Sequence, residues 1–315
     1  MKRLLCLAGL TLALHGVAFA QVTDCPPAAV EPTPARMQAG IKTARDHGFL
    51  WRVRKDGRDS WLYGTLHVAR FEWMFPGPTV LTALKASDTI ALELDLLDHD
   101  IQRRMASGIA ASTGAPLPEP LKQRVLRQAE AECLPAQVLA PLSPELQVAT
   151  LESLVGRRDG LYPDYGLDVM LANWGHTAAR TVVSLETPEL QLATLTMPTH
   201  AESIEFVETA LAEMEAGRAR PALQRIAQVW ADGDLDTLSR YESWCECVKT
   251  SADRAALARL LDARNPALAD GIAALHADGR RVFAAIGSLH MIGSLGLPAL
   301  LAQRGFEVQR IQRPR

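Results

Sequence analysis

The strongest constraint on the fold is a four-residue phrase that occurs twice, far apart in the chain. Gly64-Thr65-Leu66-His67 returns as Gly287-Ser288-Leu289-His290. The first copy comes after Trp61-Leu62-Tyr63, a β-favouring run; the second comes after 281–286, whose apolar stretch has the composition of a strand buried on both faces. Glycine at the strand's end permits a tight bend and close backbone approach. Each histidine is therefore expected at the carboxyl edge of a sheet, where open α/β sheets bind their ligands.

The segments downstream of the two copies are also alike. His67 leads into a Pro/Gly loop (75–78), helical spacing over 80–86 and a strand over 89–94. His290 leads into a Gly-rich loop (Gly293, Gly296), helical spacing over 297–304 and a strand over 306–311. The pattern reads as a degenerate internal repeat of strand, G-x-x-H turn, helix and strand. Matching Leu84 with Leu301 sets Glu93 opposite Arg310. The expected fold class is α/β (α+β): a mixed β-sheet whose two halves flank a large helical insertion.

The amino terminus has the parts of a secretory signal. Lys2 and Arg3 precede an apolar run, and Ala18-Phe19-Ala20 supplies a small-residue cleavage box. Residues 1–20 are expected to be a signal peptide cut after Ala20, giving a periplasmic or secreted protein with no membrane span after cleavage. The formal net charge is −3 with no basic stripe, which argues against nucleic acid as a partner. Cleavage removes Cys6 and leaves Cys25, Cys133, Cys245 and Cys247. An even number of cysteines in an exported chain favours disulfides, and four allow three pairings.

Residues 21–35 are proline-rich and read as an extended leader. Residues 36–315 read as a single domain, with helical spacing over 36–47 at its start. The segments 50–54 and 60–63 flank Asp56-Gly57, the signature of a hairpin. From about 98 to 278 the chain is mostly amphipathic helix, interrupted by a strand candidate at 180–185, and is read as an insertion covering the sheet. His99, His176, His200 and His276 fall in helical or loop contexts and read as surface residues.

Four residues carry the candidate chemistry: His67, His290, Glu93 and Glu186. Imidazole suits metal ligation and proton transfer near neutral pH. Glu93 ends an apolar run, 90–92, where a carboxylate is costly to bury unless paired. Glu186 comes after a similar run, although Thr187 before Pro188 also reads as a helix cap that needs no function. Arg264-Asn265-Pro266 and Tyr165-Gly166-Leu167-Asp168 are further candidates; Asn265 is expected to cap the next helix, and Arg264 to serve the end of the one before. No G-x-S-x-G elbow, phosphate loop, H-E-x-x-H helix or dinucleotide fingerprint occurs.

At these residues the chain resembles the TraB/GumN family, which is related to the Tiki metalloproteases and more remotely to erythromycin-esterase and ChaN-like proteins. The resemblance runs from about 48 to 311. It rests on 63–67, 91–95, 185–187 with Gln191, 264–266, and 287–290 with Gly293, Gly296 and 304–306. It implies an erythromycin-esterase or ChaN-like sheet with helical cover, and a site made of His67, His290, Glu93 and Glu186. In the Tiki branch such a site supports metal-dependent peptide cleavage. The implied activity is a metal-dependent hydrolase, with two histidines and one glutamate holding Mn²⁺, Co²⁺ or Zn²⁺ and the other glutamate as base. Arg264, Asn265, Tyr63 and Arg310 are the expected contacts to a peptide or small-molecule substrate. Two other readings stand beside it: a protein that binds haem or metal without turnover, and a metal-free hydrolase in which a histidine is the base.

Overall fold

Asp56 and Gly57 lie at φ 51° and 73°, the backbone of a tight hairpin turn. They fold β1 (Phe49–Lys55) back on β2 (Arg58–Thr65) in antiparallel register, with Lys55 opposite Arg58. The computed structural model describes residues 24–112, 114–245 and 247–312. Four further strands, β3 (Thr89–Leu92), β4 (Thr181–Ser184), β5 (Val282–Gly287) and β6 (Glu307–Ile311), complete one sheet in the order β4-β3-β5-β2-β1-β6. The pairs β2–β5, β3–β5 and β3–β4 are parallel, whereas β1 is antiparallel to both neighbours. The sheet is mixed, as the sequence leads one to expect.

The two G-x-x-H copies end neighbouring strands. β2 and β5 lie side by side with Thr65 opposite Gly287, so the copies are staggered by one residue and both loops leave the same edge of the sheet. Val282 to Ile286 are wholly buried, as are all four residues of β3. Each large aliphatic or aromatic side chain in such a position contributes about 1.5–3 kcal/mol.

The crossovers leave each half on a different flank. β2 passes through the helix Pro78–Ala86 to β3, beyond β5, while β5 passes through the helix Leu297–Gln303 to β6, beyond β1. β3 and β6 are therefore separated by β5, β2 and β1. Arg310 lies near the end of β6, its guanidinium donating to the Gly233 carbonyl and its charge over the Phe49 ring. Glu93 and Arg310, matched positions of the repeat, therefore lie apart, because each half threads to its own flank.

Between Leu92 and Val282 the chain is helical apart from β4, which joins the sheet as its edge strand beside β3. The helix Leu167–Thr177 packs on β3, β4 and β5, and the helix Asn265–Ala277 packs on β5 and on Leu297–Gln303. Other helices turn away from the sheet. Leu121, Val125, Val148, Leu151, Val207 and Leu211 make a second apolar core among Glu119–Ala131, Pro144–Leu154 and His200–Glu215.

Three local expectations need correction. The first helix is Pro34–Thr43 and stops short of 47, because Asp46 accepts hydrogen bonds from Thr79 and Val80 at the start of the helix Pro78–Ala86, and His47 contacts the Ala231 carbonyl. The strand after Asp88 ends at Leu92, which leaves Glu93 in the loop beyond it. His276 is buried: Nδ1 meets Ser60 Oγ at 2.9 Å and Nε2 meets the Lys55 carbonyl at 3.0 Å.

Residues 24–33 have no regular structure, and Cys25 ties them to Cys133. Cys245 pairs with Cys247, which selects one of the three possible pairings. The expected signal peptide lies outside the described residues. Among the described residues no helix is long and apolar enough to cross a membrane.

Candidate active site

His67, just past β2, is held from behind by a buried carboxylate. The helix Leu167–Thr177 starts against the β2 loop, its Leu167 amide donating to the Leu66 carbonyl at 3.0 Å. Gly166 permits that approach, since a Cβ there would stand 2.8 Å from the His67 carbonyl oxygen. Asp168 on the first turn then accepts from Thr65 Oγ1 at 2.8 Å and meets His67 Nδ1 at 2.7 Å. A carboxylate only accepts, so Nδ1 carries the proton and Nε2 faces outward. The Asp168 charge pushes the His67 imidazole up to about 9, with burial working against it. The ring is 68% exposed, and water on its open side screens the size of the shift without changing its direction.

His290 is the opposite case. It sits in the 3-10 turn Ser288–Met291, 3% exposed, with Nδ1 2.5 Å from Asn265 Oδ1. Asn265 Nδ2 donates to the Leu295 carbonyl, so its oxygen must be the atom facing the imidazole. His290 Nδ1 is thus the donor, and Nε2 keeps its lone pair. Burial pushes this imidazole down to about 4, overcoming the pull of Glu93. One histidine is charged at neutral pH and the other is not, the divergence that assigns acid and base roles.

The two glutamates meet one guanidinium. Arg264 Nε donates to Glu186 Oε1 at 2.8 Å, and its Nη2 donates both to Glu93 Oε2 at 2.6 Å and to Glu186 Oε2. Gln191 Nε2 adds bonds to Glu186 at 3.1 Å and Glu93 at 3.3 Å. The remaining oxygen of Glu93, Oε1, accepts from the Gly287 amide at 2.9 Å. Burial alone would raise the Glu93 carboxyl; His67, His290, Arg264 and that amide outweigh it and hold the group at about 2.

These parts converge over Gly287. A Cβ placed on Gly287 would stand 3.3 Å from Glu93 Oε1, 3.6 Å from His290 Cδ2 and 3.7 Å from His67 Nε2. Glycine at this position keeps a hollow open among three of the four expected site residues. Glu186 stands behind them, reached through Arg264. Ser288 Oγ donates to the Thr65 carbonyl at 2.8 Å and fixes the two strand ends to each other.

The expected metal set does not fit this arrangement. Among the described residues no group of three or more His, Cys, Asp or Glu side chains is placed to hold a metal ion. Arg264 occupies both oxygens of Glu186 and one of Glu93. Arg264 itself is 8% exposed and acts as the counter-charge of the glutamates, not as a ready anchor for a substrate anion. Its Nη1 also donates to Leu260 O at 3.0 Å, so it does serve the end of the preceding helix.

Two expected substrate contacts belong elsewhere. Tyr63 is buried against Trp230 and Phe283, its hydroxyl donating to the His47 carbonyl. Asn265 is the first residue of its helix, where its side chain orients His290 in place of capping. Thr187 does cap its helix, accepting from the Leu190 amide, while Glu186 turns the other way to Arg264. Asp168, a candidate to which the sequence assigns no role, orients His67. The signal for it is its place on the first turn of a helix that begins at a glycine.

The TraB/PrgY/gumN family description matches residues 49–310, nearly the whole chain. No curated protein and no solved structure matches the chain, so the expected likeness to erythromycin-esterase and ChaN-like folds is not shown. With β1 to β5, all but the last residue of β6 and both G-x-x-H turns inside the matched span, the chain belongs to the TraB/PrgY/gumN family.

Proposed function

We propose that this chain is an exported hydrolase that cleaves a neutral ester or amide by acid–base chemistry between two histidines. The observation that carries the proposal is the point over Gly287 from which His67 Nε2, Glu93 Oε1 and the His290 ring all lie within 4 Å. A water in this hollow gives a proton to the free Nε2 of His290 as its oxygen attacks the carbonyl carbon. The imidazolium formed on His290 is stabilised by the ionised Glu93. His67, protonated and oriented by Asp168, donates a hydrogen bond to the carbonyl oxygen as charge develops there. As the carbon–heteroatom bond breaks, its Nε2 proton passes to the leaving oxygen or nitrogen.

The test uses the chain from Gln21 onward, assayed on p-nitrophenyl esters and fluorogenic peptides. His67→Ala and His290→Ala should each lower kcat by about 10²–10⁴-fold, the usual worth of general acid–base catalysis, and activity should survive a chelator. Activity lost on chelation and restored by Mn²⁺, Co²⁺ or Zn²⁺ would overturn the mechanism in favour of a metal hydrolase. No turnover in the wild type, with haem or metal uptake lost in both variants, would make this a binding protein.

A further inference from the structure

The floor of the hollow is polar, and most of the remaining lining is aliphatic. The cavity holds about 600 Å³, and among the described residues its charged lining is confined to the floor groups His67, Glu93, Asp168 and Arg264, which pair with one another. Leu223 and Ile226 from the helix Ala219–Asp232 and Leu260 at the end of Ser251–Leu260 line it. At the lining's outer edge Leu96, Val169 and Leu195 are 40%, 39% and 38% exposed. Large apolar side chains turned to water around a concave site mark a surface that is covered when the site is filled.

We propose that this cavity receives the saturated aliphatic chain of the substrate, whose carbonyl rests on the histidine floor: a neutral ester or amide of a medium-length carboxylic acid. The inference rests on the hydrolase reading for the identity of the carbonyl and adds the class of acid. Wall chemistry narrows the choice. A charged head would meet no free counter-charge above the floor, and desolvating it there would be costly. An aromatic head would find no ring to stack on, because apart from the histidines the lining holds no aromatic side chain. A flexible alkyl chain asks only for apolar area and matches branched aliphatic walls.

The decisive measurement is calorimetric binding of methyl ketones with alkyl chains from ethyl to decyl. They offer the carbonyl and the chain but cannot be hydrolysed. Kd should fall about fourfold per added methylene, the fold-change that corresponds to ~0.8 kcal/mol, and level off once the chain fills the cavity. Leu195→Asp and Leu96→Asp, both at exposed positions where the fold tolerates the change, should flatten the series, as should Ile226→Asp. A Kd independent of chain length, or an unchanged slope in all three variants, overturns the proposal. The two readings fail separately: a chain-length series with no ester turnover in any assay removes the hydrolase and keeps the pocket, while turnover indifferent to chain length removes the pocket and keeps the hydrolase.

Discussion

Replacing Arg264 by Met tests whether the guanidinium frames the site or serves the substrate. The side chains of Glu93 and Glu186 are 8% and 2% exposed, and Arg264 bonds to both. Removing one partner of a buried ion pair leaves uncompensated charge and costs about 3–5 kcal/mol. A second route gives a similar size. Glu93 falls from 4.5 to about 2 on folding, which at ~1.36 kcal/mol per pKa unit is roughly 3 kcal/mol of native stability, with His67, His290 and the Gly287 amide sharing in it.

The sign with pH comes from that depression. A carboxyl whose folded pKa is lowered contributes stability above its unfolded value, near 4.5, and loses it as pH falls toward about 2. In Arg264→Met the Glu93 carboxylate stays buried without that cation, so it binds a proton more readily than in the wild type. The gap between wild type and variant should therefore be widest near neutral pH and narrow on acidification. Urea unfolding followed through the buried Trp230 reads the gap at each pH. Adding Glu186→Gln should recover part of the loss, giving a coupling energy for the pair. A loss under ~1 kcal/mol at pH 7, or a gap that does not shrink in acid, would refute the reasoning. Full stability with weakened substrate binding would return Arg264 to the substrate.

The same geometry sets other outcomes. The hydrolysis rate should be flat between the value of about 4 at which His290 takes up a proton and the value of about 9 at which His67 gives one up; a rate that climbs through the alkaline end would reverse the two roles. Asp168→Asn removes the charge that raises His67, so the alkaline limb should move toward 6.5 with the acid limb unmoved, read from the pH profile. Gly287→Ala places a methyl in the hollow 3.3 Å from Glu93 Oε1 and should cost about 10²-fold in kcat, with the melting temperature little changed. Cys25→Ser opens a disulfide spanning 108 positions and should lower stability by about 2–5 kcal/mol in a denaturant titration under oxidising conditions.

Much of the frame is legible in the sequence because it depends on near neighbours. Asp56-Gly57 specifies its turn wherever it occurs, the unbroken apolar run before Gly287 reads as a strand covered on both faces, and Thr187 before Pro188 caps a helix by local bonding. Failures come where distant partners decide. His276 lies near the end of a helix and reads as a surface residue, yet Ser60 and Lys55, far away in sequence, satisfy both of its ring nitrogens. Asp46 and His47 are taken from the end of one helix to serve other elements.

The site divides along the same line. That two histidines share a hollow is a consequence of a repeat whose copies end neighbouring parallel strands, and such strands need only pair for the loops to meet. The role of each histidine is set by groups that no spacing rule connects to it. Asp168 reaches His67 because a helix starts on the β2 loop, and Asn265 reaches His290 from the insertion. The family resemblance suggests two histidines and one glutamate around a metal, with the other glutamate as base. Arg264 instead bonds both Glu93 and Glu186 and offsets one of their two charges, and the protonated His67 beside Glu93 offsets the other. A divalent cation held by both glutamates would have to displace the guanidinium from Glu186, and acid–base chemistry needs no such rearrangement of the site as folded.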